Sequence, residues 1–227
     1  MDTTENSREA WIDAAERLLL SGGVSAISVQ ALAKQMATSR TSFYWLFKDR
    51  SALLWALLSR WEEKNTRGLI ERTQLYAGSI SEAILNVHDC WFDADIFDSE
   101  AERAFLSWSQ QDEDVAAVAR HNDEQRVQAL EAMFQRHGYE ELDAHVRART
   151  VYFMQIGYIV GRIQETSSLR LSRVAYYAYV FTGKPCTRAD LERFIARHQQ
   201  LFDDNDISEA LKHASSSTSD YQFIVEA

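Results

Sequence analysis

Apolar residues recur every three or four positions along almost the whole chain, the period of a helix with one face turned inward. Trp11, Ile12, Ala15, Leu18 and Leu19 mark the first run, Arg8–Leu20, with Ser7 as candidate cap and Ser21-Gly22-Gly23 as its stop. After a short connection, Ser28 caps a helix over Val29–Met36 that turns Leu32, Ala33 and Met36 inward. Ala37-Thr38 leaves just enough chain to turn before Ser39 opens a third helix, Ser39–Phe47. Asp49 caps a fourth, which carries Leu53, Leu54, Leu57, Leu58 and Trp61 and runs past Leu69-Ile70 to about Tyr76, where Gly78-Ser79 breaks it.

The later runs read the same way: Ser81–Phe92, a helix capped by Asp98 and reaching Trp108, Asp112–His137, Leu142–Gln164, Leu169–Phe181 and one capped by Thr187 that ends near Phe202. Leu142–Gln164 is apolar around most of its circumference, which predicts burial on most faces. Gly157 and Gly161, four apart, allow a close helix approach, either inside the chain's own core or against a second copy. With few alternating stretches, eight glycines and one proline, the pattern predicts an all-α fold. The tail 213–227 opens with a Ser/Thr-rich stretch that predicts partial disorder.

One segment carries more chemistry than packing needs. Ser39–Phe47 followed by Lys48-Asp49-Arg50 puts small hydroxyls, bases and aromatics in a few turns, second in a helix-turn-helix arrangement. Arg40, Thr41 and Ser42 suit base edges, Tyr44, Lys48 and Arg50 suit phosphates, and Phe43 and Phe47, four apart, suit anchoring. An amphipathic helix whose aromatics are simply core would show the same spacing, so position and flanking residues decide between the two.

Those flanks also carry a resemblance. Ala31-Leu32-Ala33-Lys34, Ser39-Arg40-Thr41-Ser42-Phe43-Tyr44-Trp45 and Phe47-Lys48-Asp49-Arg50-Ser51-Ala52-Leu53-Leu54 resemble the DNA-binding domain of tetracycline-repressor (TetR/AcrR) type regulators. The resemblance implies a phosphate-binding role for Tyr44, a similar one for Arg50 where the family usually has lysine, and base or flanking-backbone contacts for Gln30, Arg40, Thr41, Ser42 and Trp45; Ser39, the cap, is counted with the same DNA-binding set. At the turn the family usually reads Gly-Val, and here Ala37-Thr38 stands in its place. The resemblance further implies a homodimeric repressor on a near-palindromic double-stranded DNA operator, released by a small-molecule effector. It places a four-helix dimer interface on the last two long helices, here Met154, Gly157, Tyr158, Gly161, Leu191, Phe194, Ile195 and His198.

Domain organisation follows: residues 1–50 for DNA, with the fourth helix from 49 as link, and 51–212 as a helical ligand-binding and dimerisation domain. Within the latter, His88, Trp91, Phe92, Trp108 and Tyr152 are candidates for an effector pocket, although aromatics in a helical core need no ligand to explain them.

Charge supports the division. Residues 1–65 hold eight bases and eight acids, so the whole net charge of −10 falls on residues 66–227. Ser28–Arg50 holds four bases against Asp49 alone, a net of +3. A basic tip on an acidic body repels DNA except where the tip docks.

Other chemistry finds little support. The chain has no G-x-S-x-G elbow, glycine-rich phosphate loop or H-E-x-x-H pair, so no catalytic residue, cofactor or metal is expected. Asp89, Asp93, Asp95 and Asp98 beside His88 could hold a cation, but a solvated acidic loop and helix cap is the better reading. Cys90 and Cys186 lie far apart in sequence, and with neither a signal-peptide core nor a run of ~18 apolar residues the expected location is the cytoplasm, with no membrane partner. The rival function is a helical ligand- or protein-binding module with a vestigial helix-turn-helix that recognises no DNA sequence.

Overall fold

The computed structural model of the protein describes residues 3–212 and 214, and the expectation for the tail 213–227 lies otherwise outside them. Every regular element among those residues is helical: α1 (Thr3–Gly22), α2 (Val29–Gln35), α3 (Arg40–Tyr44), α4 (Arg50–Trp61), α5 (Gly68–Gln74), α6 (Ile80–Phe92), α7 (Ser99–Ser109), α8 (Glu113–Arg136), α9 (Glu141–Val160), α10 (Ser167–Thr182), α11 (Arg188–Arg197) and α12 (Asp204–Lys212). The helix start signals act as expected. Ser28, Ser39, Asp49, Asp98 and Thr187 each accept a backbone N–H three residues on. α1 begins earlier than expected, so Ser7 lies inside it; no glycine or proline interrupts Thr3–Ser7, and Glu5 suits the positive end of the helix dipole.

The described residues form two compact units, one drawn from Met1–Thr66 and Asp98–Asp123, the other from Arg67–Phe97 and Glu124–Ala227. The first unit holds α1 to α4, α7 and the first half of α8. Its core joins Trp11, Ile12, Leu19, Leu32, Phe43, Phe47, Leu53, Leu57, Trp61 and Phe105. Trp11 meets Phe43 edge-on at 5.3 Å, Phe43 stacks on Phe47 at 5.4 Å, and Trp61 stacks on Phe105 at 5.0 Å. Arg60 on α4 clamps α1 by pairing with Glu9, Asp13 and Glu16.

Residues Glu62–Arg67 wind as a π-helix between α4 and α5, so the long fourth helix expected to about Tyr76 is interrupted rather than regular. The wider turn brings buried Asn65 to the α7 cap. Its Nδ2 donates to the Asp98 carbonyl (3.0 Å) and to Glu102 (2.8 Å), and its Oδ1 accepts from the Asp98 N–H (2.9 Å).

The second unit packs Leu69, Ile84, Leu85, Leu130, Phe134, Ala148, Val151, Val174, Phe181, Leu191 and Phe194 into one core. Gly68 is required there: a Cβ would lie 2.4 Å from the Ile96 carbonyl oxygen. α9 is not buried on most faces. Its buried stripe is Ala144, Ala148, Val151 and Tyr152, while Phe153 and Val160 face solvent, and the helix ends at Val160 rather than Gln164. Asp89 links three helices from within this core: Arg197 (3.0 Å) and His198 Nε2 (2.8 Å) donate to it from the end of α11, and Arg72 stands 3.6 Å away. Compensated so fully, Asp89 is a structural anchor.

Candidate nucleic-acid interface

The helix-turn-helix is built from short elements held by a buried anchor. α2 ends at Gln35, and the turn closes with Ala37 N–H donating to the Lys34 carbonyl (3.2 Å) and Thr38 N–H to the Ala33 carbonyl (2.9 Å). Ala37 takes φ 49°, the left-handed region that glycine adopts without strain. The departure from the usual Gly-Val is thus accommodated by strain in an alanine, and the turn still forms. Ser39 then caps α3, and the Ser39 and Ser42 hydroxyls lie 3.0 Å apart, with Thr38 reaching Ser42 at 3.3 Å.

α3 ends at Tyr44 rather than at Phe47; Phe43 on the helix and Phe47 in the turn after it are both buried, which turns the opposite side of α3 outward. Gln30, Ser39, Arg40, Thr41 and Lys48 are exposed, Ser42 is half-buried, and Tyr44 and Trp45 are 59% and 83% exposed. Arg40 and Lys48 make no side-chain hydrogen bond or ion pair among the described residues. Tyr44 meets Phe43 edge-on at 5.2 Å, and together with Trp45, Arg40 and Lys48 it leaves an aromatic and basic surface open to solvent beside a buried core.

Arg50 departs from expectation. It is half-buried, and its Nε donates to the Ile27 carbonyl (2.5 Å) while Nη2 donates to that of Val24 (2.7 Å). The guanidinium ties the turn before α2 to the start of α4, so its contacts within the chain position the motif.

Residues 12–57 match the family model of the bacterial regulatory proteins, tetR family. The amino-terminal segment is a TetR-family DNA-binding domain. Solved structures carry the likeness over the rest of the chain as fold alone. A tetR-family transcriptional regulator from Streptomyces coelicolor shares 16% identity at TM-score 0.58, covering 99% of this chain and 96% of its own. The reduced form of NemR from E. coli shares 17% at 0.55, with coverage of 87% and 98%. A transcriptional regulator from Aquifex aeolicus VF5 shares 15% at 0.55, with coverage of 78% and 96%. No curated protein matches the chain. The chain therefore has the all-helical fold of a TetR-family transcriptional regulator, and no helix among its described residues is long and apolar enough to cross a membrane.

Within this TetR-type fold the expected effector residues separate. His88, Trp91 and Phe92 share α6 in the second unit, with the His88 and Trp91 rings 5.0 Å apart. Tyr152 lies instead with Arg126, whose Nη1 donates to its hydroxyl at 2.9 Å and whose guanidinium also faces Phe97 at 5.6 Å. Trp108 belongs to the first unit's core beside Phe105. The acidic residues are also accounted for: Asp93 accepts the Asp95 N–H, Asp98 caps α7, and no metal-holding cluster is found among the described residues.

The expected dimer residues on α11 need correction. Leu191, Phe194, Ile195 and His198 are all buried in the chain's own second unit, packed with α6 and α12, so they cannot face a second copy. On α9, Met154 and Tyr158 are half-buried and Gly157 is exposed with open space beyond it. Gly161 caps α9, and a Cβ there would meet the Gly157 carbonyl oxygen at 2.9 Å, so its small size serves the helix end. What remains uncovered is a stripe of Leu142, Val146, Phe153 and Val160 on α9 and one of Leu169, Tyr176 and Val180 on α10. These helices pack side by side, with the Tyr158 and Tyr177 hydroxyls 2.8 Å apart. Sequence periodicity missed the α10 stripe because its apolar residues occur on both faces of that helix.

Proposed function

We propose that the protein is a homodimeric, sequence-specific transcriptional repressor that leaves a near-palindromic operator when a small molecule binds its second unit. The observation that carries the DNA-binding part is the outward face of α3. Arg40 and Lys48 stand exposed without protein partners beside Tyr44 and Trp45, while Phe43 and Phe47 hold the helix from behind. Arg40, Thr41 and Ser42 read base edges in a major groove, with Gln30, Ser39 and Trp45 at its margin, and Tyr44 and Lys48 hold phosphates.

Two such heads on one duplex require a symmetric dimer. The uncovered apolar stripes of α9 and α10 fit a second copy of the same two helices, which would form a four-helix interface of the kind two-fold pairing produces. In that dimer the α3 helices enter successive major grooves about 34–36 Å apart. An effector that binds one arrangement of the heads better than the other shifts the population away from the DNA-competent form.

Selection of duplexes from a random pool by the full-length protein tests this reading. Recovery of an inverted repeat with half-site centres about one helical turn apart is expected. Recovery of no common sequence favours the rival helical module that has kept the motif's shape without specific recognition.

A further inference from the structure

Two helical faces meet inside the second unit. On α6, His88, Trp91 and Phe92 lie within one turn, and on α10, Arg170, Val174, Tyr177 and Phe181 follow at intervals of four, three and four. The His88 ring is 6.1 Å from that of Phe181, and the Arg170 guanidinium lies 4.4 Å over the Phe92 ring. Tyr177 stacks on Phe181 at 6.0 Å and reaches the Tyr158 hydroxyl near the exposed end of α9.

Two polar groups in this aromatic nest are incomplete. His88 Nδ1 donates to the Ile84 carbonyl (2.9 Å), which leaves Nε2 as a lone-pair acceptor, and that atom is buried with no hydrogen-bond partner. Burial holds the imidazole neutral, with a pKa lowered to about 4, and the Arg170 charge acts in the same direction. Arg170 is half-buried, and its side chain makes no hydrogen bond or ion pair among the described residues. Glu165, the carboxylate whose field reaches it, is itself paired with Arg173 at 2.6 Å. A cation without a contacting anion and an acceptor without a donor destabilise a core that apolar residues would fill better.

The pair defines what would complete it. Arg170 asks for an anion and repels a cation; the lone pair of His88 repels a second anion and asks for an O–H or N–H donor. The rings of Trp91, Phe92 and Phe181 beside these two groups favour a flat apolar body. Resting on the effector reading above, we propose that the α6–α10 face binds an aromatic carboxylate bearing a hydroxyl: Arg170 takes the carboxylate, His88 Nε2 accepts the hydroxyl proton's hydrogen bond, and Phe92, Trp91 and Phe181 contact the ring.

Calorimetric titration of the full-length protein tests this with 4-hydroxybenzoate, 4-hydroxyphenylacetate and 4-hydroxycinnamate, which step the distance between the two groups, each beside its carboxamide and its deoxy acid. The best-fitting acid is expected to bind at least about ten-fold tighter than its carboxamide, the effect of one charge-assisted contact. Arg170→Met should erase that ratio and Arg170→Lys should keep part of it; His88→Phe should erase the advantage of the hydroxyl acid over its deoxy form. Arg170 has no contacting anion, and Met keeps an apolar chain beside the Phe92 ring, so Arg170→Met is expected to melt cooperatively close to the parent temperature. No acid outbinding its carboxamide, or a preference unchanged in Arg170→Met, would overturn the assignment. Operator release, measured separately, distinguishes the two claims: acid binding with these ratios but no change in DNA affinity contradicts the effector reading alone, and release by neutral or cationic compounds with no acid binding contradicts this site alone.

Discussion

Arg40 is the one long, exposed and unpartnered side chain at the start of α3. Arg40→Ala is expected to cost about 1–3 kcal/mol at the selected site and to relax preference at one base pair, as read by competition with single-base variants; unchanged discrimination would remove its role. Ala37 gives a stability test of the turn behind it. Left-handed alanine is strained by about 1 kcal/mol, partly offset in glycine by unfolded-state entropy. Ala37→Gly is therefore expected to raise the denaturation midpoint modestly and Ala37→Val to lower it, whereas the reverse order would deny the strain. His88 sets a pH dependence. Its pKa falls from 6.5 to about 4 on folding, chiefly through burial, with Arg170 lowering it and Asp89 opposing. The unfolded chain then binds the extra proton, so stability is present above about pH 6.5 and is lost as pH falls toward 4, by about 3 kcal/mol for a fully buried imidazole. His88→Phe should flatten that interval in urea unfolding series, and an unchanged slope would contradict the buried neutral form. At this level the sequence made α3 legible, because capping hydroxyls and exposed bases act locally. It hid Arg50, whose carbonyl partners lie more than twenty residues away, and Arg170, whose inward phase shows only once α10 is placed against α6.

Helix starts were readable for the same local reason: a Ser, Thr or Asp three residues before a free N–H is a short-range signal. Which face of a helix meets which neighbour is not local. α9 reads as apolar all round, yet only one stripe is buried, and the helix read as an interface element, α11, is consumed by its own core. The two placements of the dimer can be separated. Phe153→Glu and Val180→Asp are expected to leave the fold intact and shift sedimentation from dimer to monomer. Leu191→Ala is expected to lower stability by about 2–5 kcal/mol, as core truncations do, without selectively weakening association. Dimers that survive both charged substitutions would remove the α9–α10 surface from consideration.

Over the described residues, the all-helical class followed from periodicity, while the extent of the first unit did not, because α7 joins it through tertiary contacts, among them those of Phe105 and Trp108 in the core and of Glu102 with Trp61 and Asn65. The acidic excess lies outside the DNA-reading segment, so non-specific affinity should be weak and salt-sensitive, with discrimination carried by α3. The central claim is that this outward face reads sequence. Fluorescence anisotropy of the selected duplex and a scrambled duplex, between 50 and 200 mM salt, tests it most directly. A steep negative slope of log affinity against log salt is expected, with a preference for the selected duplex of at least about 10³. Lys48→Ala should flatten the slope by about one while leaving the preference in place. Equal binding of both duplexes at every salt concentration would contradict it.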